Sequence, residues 1–216
     1  YLEAGGFIPL PPYIKRQDEE AGAHSDDRDS YQTVYSNPKG SAAAPTAGLH
    51  FTDRVLQNLR EHDIAMVPVT LHVGLGTFAP VRDQDLSRHN MHREIYQIPQ
   101  PTADALQTAK NEARPVFFVG TTSLRAVESF LLKPHDQQIP DQWHHTDLFL
   151  YPEDKKNRYR PQLGTGMVTN FHQPGSTLIM LIASLLGWEE TQKVYAAAIA
   201  EEYRLFSYGD SSLLYF

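Results

Sequence analysis

The feature that most constrains the fold is a short apolar run followed at once by a polar turn and a helical pattern. Residues 115–119 form the apolar run, and Gly120-Thr121-Thr122-Ser123 forms the turn. Leu124, Val127 and Leu131 then recur at helical spacing. This order predicts a buried strand, a turn and a helix, which is the building unit of α/β proteins.

The same alternation is found along the rest of the chain. Further predicted strands are residues 64–73, 147–151 and 167–170, and further predicted helices are residues 52–62, 101–113, 176–186 and 190–202. Strands that alternate with helices predict a mixed or mainly parallel sheet covered on both faces, a three-layer α/β/α sandwich. With 216 residues, 41% of them hydrophobic, the chain can bury one core, so we expect residues 1–216 to form a single domain. Residues 17–30 and 152–166 have the composition of loops.

Charge and composition exclude several classes of protein. The net charge of −7 has the wrong sign for a protein that holds nucleic acid through a broad positive field, so any RNA site must be local. The longest apolar stretch, residues 177–188, is shorter than the roughly 20 residues that span a bilayer, which predicts no membrane segment. The absence of cysteine agrees with a cytoplasmic location. The chain begins at Tyr1 without a signal peptide, and we interpret it as a piece of a longer protein whose N-terminal part is not included.

Five segments place polar side chains beside small residues, which is typical of loops that contact ligands. They are residues 44–52, 70–78, 89–94, 120–125 and 169–172. Thr121 and Thr122 begin a predicted helix, where free backbone N–H groups either bind an anion such as a carboxylate or are satisfied by a simple N-cap. The pair Gly74 and Gly76 is a weak signal, because a Gly-x-Gly without a third glycine is also found in tight turns.

The histidines suggest hydrogen bonding or proton transfer rather than metal binding. His89 and His92 are three residues apart with Glu94 nearby, but this is not the HExxH spacing and no cysteine accompanies it. The sequence therefore predicts no metal. A neutral-range histidine suits acid–base chemistry, although His72 could equally be a core residue, and His144 and His145 are predicted to lie on the surface. No Gly-x-Ser-x-Gly elbow and no P-loop are present, so these residues name no substrate.

Eight segments resemble, in content and in order, the S-adenosylmethionine:tRNA ribosyltransferase-isomerase family of queuosine biosynthesis. They are residues 11–16, 31–35, 43–52, 70–78, 89–92, 119–129, 169–178 and 203–210. The resemblance implies an α/β/α sandwich that carries a separate β-barrel domain, which is missing from this chain. It also implies that the ribosyl group of S-adenosylmethionine, a co-substrate, is transferred to a 7-aminomethyl-7-deazaguanine at the wobble position of tRNA. The products are epoxyqueuosine, adenine and methionine.

Site residues follow from mapping the demands of this chemistry onto the matching segments. Removal of the proton next to the sulfonium requires a base. His50 or His172 is the first candidate, and His92 and Glu94 are the second candidates. The residues predicted to bind S-adenosylmethionine are Thr46, Gly48, Phe51, Gly74, Gly76, Thr121, Thr122, Arg125, Asn170 and Phe171. Tyr13, Arg16, Arg204 and Tyr208 are predicted to face the tRNA.

Two departures from the family pattern keep other functions open. Residues 152–160 are charged where the family has a Pro-Gly turn and an apolar strand, and Gln173 replaces a leucine. These changes allow a non-catalytic paralogue, or one with an altered acceptor, that binds tRNA or S-adenosylmethionine. A metal-dependent hydrolase built on the histidines is the remaining alternative.

Overall fold

The computed structural model describes residues 10–11, 13–14, 30–41, 43–74, 86–89, 91–153 and 157–216. The α-helices that lie wholly within them are α1 (Asp53–Glu61), α2 (Gln100–Asn111), α3 (Thr121–Leu131), α4 (Thr177–Leu186) and α5 (Trp188–Ala200). The strands are β1 (Thr70–His72), β2 (Glu94–Gln97), β3 (Phe117–Val119), β4 (Trp143–Thr146), β5 (Gly166–Asn170) and β6 (Ser211–Tyr215). Short 3₁₀ helices cover Thr46–His50, Leu86–Arg88 and His135–Gln137.

The strands form two three-stranded sheets, so the expected single mixed sheet is corrected while the α/β class stands. In one sheet the order is β1-β2-β4, and both pairs are antiparallel. In the other the order is β3-β5-β6, with β3 parallel to β5 and β6 antiparallel to it. Among the described residues, only the β3–β5 pair has the parallel arrangement that the alternation of strands and helices predicts.

The predicted strand 64–73 is reduced to its last residues. Only Thr70–His72 pairs with β2, and Ile64, Met66 and Val67 are exposed. Pro68 explains the boundary, because proline has no N–H to donate to a ladder. The predicted helices 52–62, 101–113, 176–186 and 190–202 are all present within one or two residues of their ends.

Residues 147–151 were expected to form a strand, but the strand lies just before them. In β4, the buried side chains are His144 and Thr146, and Trp143 and His145 are exposed. The prediction that His144 lies on the surface is therefore wrong. Its Nε2 lies 2.8 Å from the carbonyl of Ile139, a bond that satisfies the buried ring.

The main core lies where α3 and α4 cover one face of the β3-β5-β6 sheet. Phe118, Met167 and Leu214 are paired across that face and are almost completely buried. Leu124 of α3 and Leu181 of α4 belong to the same apolar cluster. Among the described residues, no helix is both long and apolar enough to cross a membrane.

A buried carboxylate attaches the charged loop before β5 to this core. Glu128 of α3 is fully buried and accepts hydrogen bonds from the Tyr159 hydroxyl and from the Gln162 backbone N–H at 2.9 Å. Burial raises the pKa of Glu128, and the two donors oppose that rise. The described part of the predicted loop 152–166 is thus irregular up to β5, and hydrogen bonds from Tyr159 and Gln162 hold it against α3.

Candidate functional site

Parts of four of the five predicted ligand loops meet at the carboxyl ends of β3 and β5, as expected for parallel strands, and residues 89–94 do not take part. A cavity of about 60 Å³ lies there. Its walls are Ala43, Ala44, Pro45, Thr46, Ala47, Val73, Gly120, Thr121, Thr122, Thr169, Asn170, His172 and Leu178. Segments that are more than a hundred residues apart in sequence therefore form one small site.

A second, larger cleft of about 240 Å³ lies beside α2 and α3, where Asp104, Lys110 and Phe130 are among its walls. None of the predicted site residues lines it. We therefore place the candidate site at the smaller cavity, where the predicted residues are found.

The first turn of α3 forms one wall of the cavity and is open at its N-terminus. Gly120 occupies the N-cap position with φ of 86°, and no side chain caps the helix. A positive φ favours glycine at this position. Of the two interpretations of Thr121 and Thr122, the missing side-chain cap favours an anion site over a simple N-cap.

His172 lines the cavity and is held in place by two hydrogen bonds. Its Nε2 lies 2.9 Å from the Thr169 hydroxyl, and its backbone N–H donates to the Tyr195 hydroxyl at 2.8 Å. Burial lowers the pKa of His172 to about 4, so the ring is neutral at pH 7. Tyr195 has no local signal in the sequence, because it lies on α5, 23 residues further along the chain than His172.

His50 stands behind Asn170 instead of lining the cavity. The Asn170 amide nitrogen donates to His50 Nε2 at 3.2 Å. Burial lowers the pKa of His50, Asp210 raises it, and Arg204 lowers it slightly further. Both candidate bases are thus favoured in the neutral form, but only His172 has direct access to the cavity.

Glu94 and Arg125 form a buried ion pair that is separate from the cavity. Arg125 Nη1 lies 2.6 Å from Glu94 Oε2, and the two side chains are only 3% and 1% exposed. Arg125 Nε also donates to the carbonyl of Leu148 at 3.1 Å. Arg125 was expected to bind a carboxylate and Glu94 to act in catalysis, whereas this placement favours a role for both in holding α3 against β2.

The remaining residues of the predicted site fall into two groups. Thr46 lines the cavity, and Gly48, in the same 3₁₀ helix, is packed so closely that an added Cβ would lie 2.0 Å from the Tyr35 hydroxyl. Gly74 has open space above its Cα, with no described atom within 4 Å. The other group points elsewhere: the Phe171 ring is buried edge-on against Tyr195 and Tyr203, and His92 is exposed.

Of the residues predicted to face tRNA, Arg204 and Tyr208 belong to the segment 203–210, and Tyr13 contacts that segment. The Tyr13 hydroxyl is hydrogen-bonded to Ser207 Oγ, and Tyr208 is 40% exposed. Arg204 is exposed and forms an ion pair with Asp210, Nη2 to Oδ1, at 2.6 Å. Arg16 and Gly76 lie outside the described residues. No group of three or more metal-ligating side chains occurs within the described part of the chain.

The lowered pKa of His172 predicts a loss of stability in acid. The folded state keeps the ring neutral, so its contribution is complete above the ordinary pKa of 6.5 and decreases as the pH falls towards 4. Since the ring lines a cavity that water can enter, we expect at most about 3 kcal/mol from this group. Urea unfolding at about pH 7 and about pH 4.5 should show a smaller acid loss in His172→Gln. Equal losses in both proteins would contradict this cause.

Comparisons with known proteins identify the family to which the chain belongs. Over residues 1–214 the sequence matches the family described as queuosine biosynthesis protein. Among solved structures, the chain is similar to the S-adenosylmethionine tRNA ribosyltransferase of Thermotoga maritima, with 31% sequence identity and a TM-score of 0.59. That match covers 77% of this chain and 50% of the other, so the chain spans about half the length of the solved relative. The resemblance seen in the motifs is confirmed, and the chain belongs to the queuosine biosynthesis protein family.

Proposed function

We propose that the full-length protein transfers and isomerises the ribosyl group of S-adenosylmethionine onto 7-aminomethyl-7-deazaguanine in tRNA, giving epoxyqueuosine and releasing adenine and methionine. The observation that carries this proposal is the cavity at the ends of β3 and β5. Three of the segments that resemble the ribosyltransferase-isomerase family contribute Thr46, Thr122 and His172 to its walls. Because its acceptor is tRNA, we propose a cytoplasmic location.

The cavity has features that fit parts of S-adenosylmethionine. The uncapped N-terminus of α3 offers N–H groups to a carboxylate. Asn170 Oδ1 is buried and has no hydrogen-bond partner in the described part of the chain, so it can accept a hydrogen bond from a ligand. A volume of about 60 Å³ is well below that of a complete small-molecule site, so we expect the cavity to enclose only part of the ligand and the rest of the ligand to lie outside it.

In this proposal His172 is the base. It would remove the proton from the carbon next to the sulfonium, which that positive charge makes acidic. The electron pair left on that carbon breaks the bond between the adjacent sugar carbon and the ring oxygen, so the sugar opens, and the oxygen forms a carbonyl as adenine leaves with the electron pair of its bond to the sugar. The acceptor amine adds to the opened sugar and loses a proton, and ring closure expels methionine with the electron pair of the carbon–sulfur bond. A histidine that is neutral at pH 7 meets the first demand, although a pKa of about 4 makes it a weak base.

The carboxylate of the methionine part is assigned here to the backbone of α3 instead of to Arg125. The guanidinium of Arg125 is occupied by Glu94 and Leu148, and only 2% of the residue is exposed. The positive end of a helix stabilises an anion without a side-chain cation. This assignment leaves Thr121 and Thr122 as the residues whose N–H groups lie nearest the anion.

Release of adenine from S-adenosylmethionine by the full-length protein tests the proposal. We expect release only when tRNA carrying the aminomethyl-deazaguanine is present, and we expect His172→Ala to lower its rate by roughly 100- to 10,000-fold. His145→Ala is the matched control, since that ring is exposed on β4. Binding of S-adenosylmethionine without any release would instead favour a non-catalytic paralogue.

A further inference from the structure

The side-chain amide of Asn170 is surrounded by groups that accept hydrogen bonds. Its nitrogen donates to His50 Nε2 at 3.2 Å, to the carbonyl of Phe206 at 3.3 Å and to the carbonyl of Ser207 at 3.5 Å. The residue is only 3% exposed. Both N–H bonds of the amide are therefore used inside the protein.

The two carbonyls decide which way the amide points. A flipped Asn170 would place its oxygen against two backbone oxygens, which can only accept hydrogen bonds and would repel it. His50 by itself would tolerate either orientation, because an imidazole nitrogen donates in one tautomer and accepts in the other. With the amide fixed, His50 Nε2 must carry the lone pair and Nδ1 the proton.

The backbone that supplies these carbonyls has an energetically unfavourable conformation at Phe206. Phe206 has a φ of 72°, a region that bulky residues avoid. Its N–H donates to the carbonyl of Phe171, and its own carbonyl accepts from Gly209 N–H at 3.0 Å as well as from Asn170. An added Cβ on Gly209 would lie 2.3 Å from the Arg204 carbonyl, so this turn is closely packed. Strain of this kind is found where a site must be held in one geometry.

The oxygen of the same amide has no hydrogen-bond partner among the described residues. Asn170 lines the cavity, and its Oδ1 is buried. A buried acceptor without a donor has lost the hydrogen bonds that water would give it, so its burial is unfavourable. A ligand that brings an N–H or O–H to this oxygen offsets that loss, whereas a ligand that brings an acceptor meets repulsion.

We propose that Asn170 Oδ1 selects a hydrogen-bond donor on the nucleoside part of the ligand, and that His50 is a positioning residue that holds the amide for this purpose. The proposal rests on the proposed function for the identity of the ligand, but its hydrogen-bond geometry stands apart from it. It also moves His50 from the role of base to a place behind Asn170. The donor is either the amino group of adenine or a hydroxyl of the ribose, and the experiment separates the two.

Nitrogen NMR of isotope-labelled full-length protein reads the geometry directly, without any turnover. We expect the His50 ring to be protonated at Nδ1 and unprotonated at Nε2. In Asn170→Ala, which removes the donor, the ring should change to the Nε2-protonated tautomer that free imidazoles favour. Asp210 and Arg204 are the charged groups that act on His50 in this structure, and both remain unchanged in the variant. A Nε2-protonated ring in the unsubstituted protein would overturn the proposal.

Calorimetric binding of S-adenosylhomocysteine, a thioether that cannot react, tests the selection. Three analogues are compared with it: one with oxygen in place of the adenine amino group, and two that each lack one ribose hydroxyl. We expect the unsubstituted protein to bind one of the three roughly tenfold to a hundredfold more weakly than the parent compound. Asn170→Ala should bind that analogue and the parent compound equally. The group that the weakly bound analogue lacks is the donor.

Substitution of His50 separates positioning from general structural damage. In His50→Gln, the side-chain oxygen can still accept from Asn170, so we expect discrimination between the analogues to be kept. In His50→Leu it should be lost. The same discrimination in Asn170→Ala as in the unsubstituted protein, or no binding of any of the four compounds to the unsubstituted protein, would overturn the proposal. Failure of adenine release with the selection intact would instead refute the proposed reaction.

Discussion

Replacing Glu94 by glutamine is expected to lower the free energy of unfolding by about 3–5 kcal/mol, the largest effect of any single change considered for this chain. Glutamine has almost the same shape, so the substitution removes charge and leaves no cavity. The guanidinium of Arg125 would remain buried with its positive charge uncompensated. Among the described residues its Nη2 already has no hydrogen-bond partner, and the Leu148 carbonyl, which accepts from Nε, carries no full negative charge to replace the carboxylate. Urea unfolding measures the difference.

An exposed ion pair in the same chain is the matched control. Arg114 and Glu112 are 63% and 50% exposed, so water screens their attraction. Glu112→Gln should therefore cost at most about 1 kcal/mol. Replacing both partners of the buried pair, with Glu94→Leu and Arg125→Met, should recover much of the loss because no charge stays buried. Similar small effects at Glu94 and Glu112 would show that the buried pair is hydrated in solution.

The second large effect is expected at Gly166, where alanine should cost about 3 kcal/mol of unfolding free energy. Gly166 begins β5, the central strand of its sheet, and is paired with Phe117 and Tyr215. An added Cβ would lie 2.2 Å from the backbone oxygen of Leu214 and 2.8 Å from the Phe117 ring. A backbone atom in a paired strand cannot move aside as a flexible side chain does.

Gly74→Ala is the control for this substitution, because no described atom lies within 4 Å of the added Cβ. Its unfolding free energy should change by no more than about 0.5 kcal/mol. Thermal and urea unfolding of the two variants measure the contrast. If Gly74→Ala were as destabilising as Gly166→Ala, the loss would come from backbone flexibility rather than from the contact with Leu214.

Periodicity in the sequence was sufficient to predict the helices and the two strands, β3 and β5, at whose ends the cavity lies. Residues 117–119 and 166–170 are short apolar runs next to turns, and α3 follows β3 as the pattern predicts. Four of the eight motif segments contribute to one cavity for the same reason, since the carboxyl ends of parallel strands lie side by side. These features depend on local order along the chain, which a sequence shows.

What the sequence could not show depends on contacts between distant residues. β6 pairs with β5 over a separation of more than 40 residues, and β2 is only four residues long, so neither has a periodic signal of its own. Arg125 has the composition of a ligand-binding residue, and only the fold reveals that Glu94, 31 residues away, neutralises it. The carbonyl of Phe206 is a backbone group with no side-chain signature.

Transfer of the ribosyl carbons defines the proposed reaction, and isotope labelling follows those carbons from S-adenosylmethionine to the tRNA. The full-length protein would be incubated with S-adenosylmethionine labelled in its ribose carbons and with tRNA that carries the aminomethyl-deazaguanine. Mass spectrometry of the wobble nucleoside should then show an added epoxycyclopentanediol that contains all of the labelled carbons. A wobble nucleoside without label, from a folded protein that binds both substrates, would contradict this transfer.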